Sequence, residues 1–248
     1  MPTVNAPVLE FRSVTKTYSR SHLGRTTHSR GIVDLTWEVP EGESFGLLGL
    51  NGSGKTTTFK LALGLLRPTS GEVRILGRSP ADAVALAAVG FLPELPYFYP
   101  FLTPCEALRF YGRLSGLREE ELPDRIARTL DLVGLTEHGS RRMGEFSKGM
   151  VQRVGLAQAV LHDPRLIILD EPVSGLDPLA VKDFRELLGE LRGRGKTLIV
   201  SSHSISELEK ICDRVGILKE GRLARSIAHQ EWEAAAEGLE GLFVETVR

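Results

Sequence analysis

The chain has 248 residues, of which 42% are hydrophobic and 25% are charged. These fractions match those of soluble globular proteins and exclude a disordered, collagen-like or fibrous chain. Its 31 basic and 32 acidic residues leave a net charge of −1, so the overall charge does not attract nucleic acid or an anionic membrane. The two cysteines, Cys105 and Cys212, form no CxxC pair, which argues against a disulfide framework and a structural zinc site.

The sequence contains no apolar run of the ~18–20 residues that span a bilayer. Its first residues, Met1 to Pro7, have neither a basic segment nor an apolar core, so a signal peptide is not expected. We therefore expect a cytoplasmic protein that reaches a membrane only where a partner holds it.

Strand patterns flank one polar stretch near the N-terminus. Val8–Phe11 is predicted to be a short strand, and Ser19–Gly31, which has no apolar periodicity, is predicted to be a loop. Apolar and polar residues alternate over Val33–Val39, which predicts a strand with one buried face. Phe45–Leu48 is continuously apolar, as in a parallel strand that is buried on both faces.

The middle of the chain, from Thr103 to about Leu161, is predicted to be mostly helical. Thr103 and Glu106 form a capping-box pattern, with Pro104 at the first helical position. The whole pattern predicts an α/β core that is interrupted by a helical insertion. The other predicted elements are the strand Val89–Leu92, the helices Glu106–Leu114, Leu122–Val133 and Pro178–Arg192, the strands Leu166–Leu169 and Thr197–Val200, a helix from the capping-box pattern Ser204–Glu207 to about Cys212, and a hairpin of Val215–Leu218 and Arg222–Ala224.

A glycine-rich loop lies between the strand Phe45–Leu48 and a predicted helix, Lys55–Leu66, and matches GxxxxGK[ST] in full. Its glycines let successive backbone N–H groups surround phosphate oxygens, and the helix N-terminus adds partial positive charge. We expect Lys55 to reach the β- and γ-phosphates and the Thr56 hydroxyl to ligate Mg²⁺. The predicted nucleotide-binding residues here are Gly49, Leu50, Asn51, Gly52, Ser53, Gly54, Lys55, Thr56 and Thr57.

Two carboxylates, Asp170 and Glu171, follow the predicted strand Leu166–Leu169. A carboxylate at the C-terminal end of such a strand points into the ligand crevice of an α/β sheet. Alone, this pair would be read as a solvated strand end, but the phosphate loop favours a role at the nucleotide. Asp170 is predicted to contact Mg²⁺, and Glu171 to polarise the attacking water as general base.

Other segments resemble the ordered motifs of ATP-binding-cassette (ABC) ATPases. Residues 146–150, Phe-Ser-Lys-Gly-Met, resemble the signature motif LSGGQ; they differ at three of five positions but keep Ser147 and Gly149, which carry the phosphate contact. Residues 174–177, Ser-Gly-Leu-Asp, are similar to the D-loop. His203 corresponds to the switch histidine and Tyr18 to the aromatic residue that stacks on adenine.

This resemblance covers nearly the whole chain and implies its fold. We expect an α/β protein, an ABC nucleotide-binding domain with a P-loop NTPase (RecA-like) core, an antiparallel β subdomain and an inserted α-helical subdomain. Residues 1–248 would form a single ABC ATPase domain, with the core at 1–95 and 162–225, the helical subdomain at 96–161 and a short C-terminal tail at 226–248.

The resemblance also implies ATP and Mg²⁺ as cofactors and assigns the site. In the family, the signature of one domain closes on the γ-phosphate that the other domain binds, so ATP is expected to join two domains head to tail. One set of motifs per chain favours a homodimer, and a heterodimer with a related chain stays open. The implied catalytic residues are Glu171, His203 and Lys55, the further nucleotide-binding residues are Tyr18, Ser147, Gly149 and Asp177, the last at the dimer interface, and the Mg²⁺ ligands are Thr56, Asp170 and Glu94. The remaining histidines, His162 among them, are expected at the surface.

Glu94 is a departure from the family, because most members carry glutamine in the loop after the strand Val89–Leu92. A carboxylate can still ligate Mg²⁺ through oxygen, although it lacks an amide donor. We hypothesise that Glu94 is a ligand with altered coupling to the transport partner.

The stretch Pro96–Leu117 is similar to the export-type ABC subfamily, which serves drug, polysaccharide, gliding-motility and copper-enzyme-maturation systems. Its aromatic residues either contribute to a groove for a membrane partner or pack the helical insertion. The expected function is the ATP-hydrolysing subunit of an ABC exporter that energises a separate membrane permease, at the inner face of the membrane. The alternative is a soluble ABC ATPase that works without a transporter, such as an iron–sulfur-assembly scaffold; a nucleic-acid partner is not expected.

Overall fold

A computed structural model describes residues 7–22 and 25–248, without the side chains of residues 19–28. Contacts divide the chain into two compact units, the first formed by the segments up to Leu86 and from Thr197, the second by Ala87–Lys196. The strands are β1 (Pro7–His22), β2 (Arg25–Pro40), β3 (Ser44–Gly49), β4 (Ser70–Ile75), β5 (Val89–Leu92), β6 (Leu166–Asp170), β7 (Thr197–Ser202), β8 (Arg214–Lys219) and β9 (Arg222–Ala228). The helices are α1 (Lys55–Ala62), α2 (Ala83–Leu86), α3 (Pro104–Leu114), α4 (Leu122–Leu132), α5 (Lys148–Val160), α6 (Pro178–Gly193), α7 (Ile205–Ile211), α8 (His229–Ala234) and α9 (Gly238–Val247), with 3₁₀ turns at Thr136–His138 and Met143–Glu145.

The first unit contains an antiparallel sheet in which β1 lies between β2 and β4. Along β2, Leu35, Trp37 and Val39 are buried and the residues between them are exposed, which confirms the strand predicted from alternation. The Trp37 ring stacks on Phe11 with 5.3 Å between centroids and lies 4.6 Å from the Phe45 ring of β3. These aromatic contacts join the antiparallel sheet to the strand that precedes the phosphate loop.

The loop predicted over Ser19–Gly31 is wrong. β1 runs on to His22, far beyond the predicted Val8–Phe11, and β2 begins at Arg25, so that Tyr18 pairs with Ser29 and His22 with Arg25. Cross-strand backbone hydrogen bonds do not require apolar side chains, and a polar hairpin therefore leaves no periodicity in the sequence.

A second sheet of the first unit has the strand order β7-β3-β8-β9. β3 is parallel to both neighbours, and β9 returns antiparallel to β8 as the predicted hairpin. All six residues of β3 and of β7 are buried, which explains their continuous apolar character and confirms both predicted strands. The carboxyl ends of β3 and β7 lie at the same edge of this sheet.

Residues 226–248, expected as a short tail, continue β9 and then form α8 and α9. Trp232 and Leu239 are buried, and the Leu239 N–H donates to the Glu209 carboxylate of α7 at 2.9 Å. This segment therefore belongs to the packed first unit.

The second unit contains the parallel pair β5–β6 and the helices α3 to α6. The capping box that opens α3 is confirmed: the Glu106 N–H donates to Thr103 Oγ1 at 3.2 Å, and the Thr103 N–H donates to the Glu106 carboxylate at 2.8 Å. These bonds from Thr103 lower the pKa of Glu106. α3 buries Leu108 and α4 buries Ile126 and Leu130.

The end of α1 and the cap of α7 differ from the prediction. α1 ends at Ala62 instead of Leu66, because the Gly64 N–H turns back to the Leu61 carbonyl at 3.1 Å and closes the last turn. Ser204 does precede α7, but its side chain makes no capping bond; its Oγ lies 3.3 Å from Ser206 Oγ. Of the helices that the described residues form, none is long and apolar enough to cross a membrane.

Candidate nucleotide site

The phosphate loop of the first unit joins the buried strand β3 to α1. The backbone enters α1 through Gly54, whose φ of 114° favours glycine, and a Cβ there would lie 3.0 Å from the Gly31 carbonyl. Within the loop, the Ser53 N–H donates to the Leu50 carbonyl at 3.1 Å. Leu50, Asn51 and Gly52 are exposed, so the loop offers its backbone to a ligand at the N-terminus of a helix.

Lys55 is the first residue of α1 and is buried, with 8% of its surface exposed. Its ammonium group donates to the Gly49 carbonyl at 2.6 Å, across the base of the loop. This hydrogen bond holds the Lys55 side chain within the predicted phosphate-binding loop. Thr56, the predicted Mg²⁺ ligand, is the next residue and is exposed.

Tyr18 of β1 lies beside the same helix. Its hydroxyl shares a hydrogen bond of 3.1 Å with Thr57 Oγ1, and its half-buried ring lies against Gly31 of β2. Tyr18, the predicted adenine-stacking residue, therefore contacts Thr57, which directly follows Thr56. That stacking role stays a prediction.

His203 leaves the sheet at the same edge as the phosphate loop. In the register of β3 and β7, Leu48 pairs with Ser202, so Gly49 and His203 are the residues that follow one paired position. His203 is exposed there. In the first unit, therefore, the structure collects the phosphate loop, Tyr18 and the histidine.

The second unit collects the predicted acidic residues. In the parallel pair β5–β6, Leu92 pairs with Leu169. Glu94, Asp170 and Glu171 come after these paired residues, so they lie at the carboxyl ends of the two strands. Glu94 is exposed, whereas Asp170 and Glu171 are partly buried. Glu171 has a positive φ of 47°, an uncommon conformation for a non-glycine residue and one that is concentrated at functional sites.

The signature segment opens α5 as predicted. Ser147 is the N-cap, and its Oγ accepts a hydrogen bond of 3.3 Å from the Met150 N–H. Asp177 has the same position on α6, where Oδ1 accepts from the N–H groups of Leu179 and Ala180 at 3.1 and 3.0 Å.

Two contacts at these segments were not foreseen from the sequence. Tyr18 bonds to Thr57, and Lys148 of the signature segment donates to the Ser174 carbonyl at 2.6 Å. The lysine was visible as a departure from the LSGGQ form, but its partner lies 26 residues away in the chain.

A buried strand, a glycine-rich loop and a helix that begins with a buried lysine define a P-loop nucleotide-binding protein. Comparisons with known proteins agree: a family model described as ABC transporter matches residues 32–174. The uncharacterized ABC transporter ATP-binding protein sll0415 of Synechocystis sp. is 41% identical over 241 residues, which are 96% of this chain and 68% of that protein. The bacitracin transport ATP-binding protein BcrA of Bacillus licheniformis is 40% identical over 201 residues, 80% of this chain and 65% of that protein.

A solved structure is also similar. The ATP-binding cassette MJ0796, a dimer in a post-hydrolysis state bound to ADP and Pi, has a TM-score of 0.79 and 26% identity, over 89% of this chain and 98% of that chain. The chain belongs to the ABC transporter family, and it is an ATP-binding and ATP-hydrolysing subunit of that family. The expected family and fold class are thereby confirmed, and the transporter-subunit function is favoured over the soluble scaffold.

Proposed function

We propose that this chain works as one half of a head-to-tail homodimer that hydrolyses ATP and drives export through a separate membrane permease, with the whole chain acting as one ATPase domain. The observation that carries the proposal is the phosphate loop with its buried lysine, Lys55. The dimer of MJ0796 supports the dimeric arrangement. Through the permease, the protein would sit at the inner face of the cell membrane. A heterodimer with a related chain would use the same chemistry.

In this proposal, the loop amides and Lys55 hold the β- and γ-phosphates, and Tyr18 stacks on adenine. Glu171 accepts a proton from the attacking water, and His203 contacts that water and the γ-phosphate. Ser147 and Gly149 of the second chain close on the γ-phosphate from the other side, next to Asp177 at the interface. The α5 N-terminus supports this role, since its N–H groups and partial positive charge favour an anion.

The donor set fits magnesium. Thr56, Asp170 and Glu94 offer the hard oxygen atoms that this ion prefers. Within residues 7–22 and 25–248, no group of three or more His, Cys, Asp or Glu residues could hold a metal. Magnesium is commonly bound through one or two carboxylates together with nucleotide phosphates. When bound, Mg²⁺ neutralises charge that develops on the β- and γ-phosphates.

An exposed aromatic patch on the second unit supports a docked permease. Tyr97, Tyr99 and Phe101 expose 77%, 59% and 65% of their surface, and the Tyr99 and Phe101 rings stack with 5.4 Å between centroids. Large exposed apolar groups in one patch mark interaction sites. Phe98 instead packs edge-on against Tyr111 of α3 at 6.0 Å, which is the expected packing of the helical insertion.

The permease is tested by purifying the tagged protein from its native host in a mild detergent and identifying the bound chains by mass spectrometry. We expect a stoichiometric multi-span membrane protein, and we expect its loss from the triple variant Tyr97→Ser, Tyr99→Ser and Phe101→Ser. ATP affinity of that variant is the control, since the phosphate loop is unchanged. A soluble partner, with no membrane protein in any of several detergents, would contradict the permease.

A further inference from the structure

Lys148 makes a contact that the usual signature form cannot make, since that form has glycine at this position. The residue opens the first turn of α5, directly after Ser147. Its ammonium group donates to the Ser174 carbonyl at 2.6 Å. A charged donor at this distance from a backbone carbonyl makes a short, directional hydrogen bond.

The acceptor belongs to a compact turn. The Ser174 N–H donates to the Glu171 carbonyl at 3.1 Å, and the Leu176 N–H donates to the Val173 carbonyl at 3.2 Å. The turn therefore begins at the residue proposed as general base and ends at Asp177, the N-cap of α6. Both backbone groups of Ser174 are used, one within the turn and one by Lys148.

Gly175 leaves the space that Lys148 occupies. Its φ is +66°, and a Cβ at this position would lie 2.5 Å from Lys148 Nζ. A side chain here would collide with the ammonium group and would strain the backbone as well. The contact thus depends on both residues, which makes it testable from either side.

A second contact joins α5 directly to α6. Arg153 of α5 forms an ion pair of 2.7 Å with Asp183 of α6, and Arg153 also donates to the Val133 carbonyl at 3.0 Å. At the helix starts, a Cβ on Gly149 would lie 3.6 Å from Ala180 Cβ, an ordinary van der Waals distance. The Arg153–Asp183 pair therefore joins α5 to α6, and the Lys148 bond joins α5 to the turn after β6.

We propose that Lys148 is a positioning residue, which fixes the turn carrying Glu171 and Asp177 to the signature segment carrying Ser147. The three groups then keep their mutual geometry when two chains close on ATP. This inference rests on the proposed function. Because the phosphate loop lies in the first unit, loss of the bond should lower turnover without weakening ATP binding to the single chain.

The test compares the purified wild type with Lys148→Met, which keeps the apolar stem without a donor, and Lys148→Arg, which keeps charge and donors. We expect Lys148→Met to lower kcat about fivefold, as loss of an exposed charged contact allows. Lys148→Arg should retain more than half of the wild-type kcat. ATP affinity, measured by equilibrium binding, and the melting temperature should stay close to wild type in both.

A second pair of variants approaches the contact from the turn. Gly175→Ala should lower kcat as Lys148→Met does, whereas Gly195→Ala, with a similar φ of +80° and no atom within 4 Å of the added Cβ, should not. The double variant Lys148→Met/Gly175→Ala should be no slower than the slower single variant, because both changes break one contact.

Wild-type kcat in Lys148→Met, or an independent, multiplicative effect of the two changes, overturns the inference. If wild type hydrolyses ATP, Glu171→Gln does not, and Lys148→Met equals wild type, the inference fails while the proposed function stands. If wild type has no ATPase activity, or Glu171→Gln keeps it, the proposed function fails and the inference with it.

Discussion

Lys55 provides the most direct test of the phosphate loop at the scale of single residues. Lys55 is buried, and its ammonium group donates a hydrogen bond to the Gly49 carbonyl within the loop. Lys55→Ala removes charge-assisted hydrogen bonds to phosphate, worth about 1.5–3 kcal/mol each. We expect the Kd for ATP to rise about 10- to 100-fold, measured by equilibrium binding of a fluorescent analogue. Lys182→Ala, at an exposed lysine of α6, is the control; an unchanged Kd in Lys55→Ala would contradict the phosphate-loop assignment.

His162 was expected at the surface, but the structure places it half-buried in the connection between α5 and β6. Its Nε2 lies 3.1 Å from the Val89 carbonyl, and its Nδ1 is buried with no hydrogen-bond partner in the described part of the chain. Burial lowers the pKa of His162, against the raising effect of Val89 and Asp163. Lys196 and Arg125 nearby lower it further.

This lowered pKa predicts acid sensitivity. As pH falls below about 6.5, the unfolded chain takes up the proton at His162 before the folded chain does. The stability due to the neutral ring is therefore complete above that pH and is lost as pH falls toward the lowered folded pKa. We expect the melting temperature of wild type to drop more between pH 7 and pH 5 than that of His162→Gln. His229→Gln, at a histidine paired with Glu233 on α8, serves as control, and parallel curves for wild type and His162→Gln would refute the assignment.

At the scale of elements, the capping box of α3 ties local sequence to stability. Thr103→Ala removes the side-chain acceptor for the Glu106 N–H and should lower the free energy of unfolding by about 1 kcal/mol. Urea denaturation measures this as a lower midpoint with an unchanged slope. Ser140→Ala, at an exposed serine, is the control and should leave the midpoint unchanged. An equal drop in the midpoint for both variants would contradict a stabilising role of the cap.

Local patterns predicted the elements whose determinants are local. The alternation of β2, the apolar runs of β3 and β7 and the Thr103–Glu106 box each involve residues within a few positions of one another, and the structure contains all of them. Ser204–Glu207 has the same pattern as the box of α3, yet the Ser204 side chain makes no capping bond. The polar hairpin of β1 and β2 is held by backbone pairing, which leaves no mark on side-chain periodicity.

In the candidate site, too, the contiguous segments were predictable and the contacts between distant residues were not. The phosphate loop is contiguous, so spacing alone predicted that its glycines and lysine would lie between a strand and a helix. The bonds Tyr18–Thr57 and Lys148–Ser174 join residues 39 and 26 positions apart. Such contacts depend on how strands and helices pack, so no local sequence pattern predicts them.

At the scale of the whole molecule, the residues proposed to act on the nucleotide are distributed over both units. The first holds the phosphate loop, Tyr18 and His203, and the second holds the carboxylates and the signature segment. We therefore expect Lys55→Ala in the first unit to weaken ATP binding, and Glu171→Gln in the second unit to stop hydrolysis while ATP stays bound. In the proposed function, a second chain supplies the signature segment that completes a head-to-tail pair.

The dimer closed by ATP is the central claim, and Glu171→Gln tests it most directly. The amide cannot accept the proton of the attacking water, so ATP should remain bound and unhydrolysed. We expect light scattering after size exclusion, in the presence of Mg²⁺ and ATP, to give twice the chain mass of 27.2 kDa, with one chain mass in the absence of nucleotide. A single chain mass in ATP, or hydrolysis at the wild-type rate, would contradict the account.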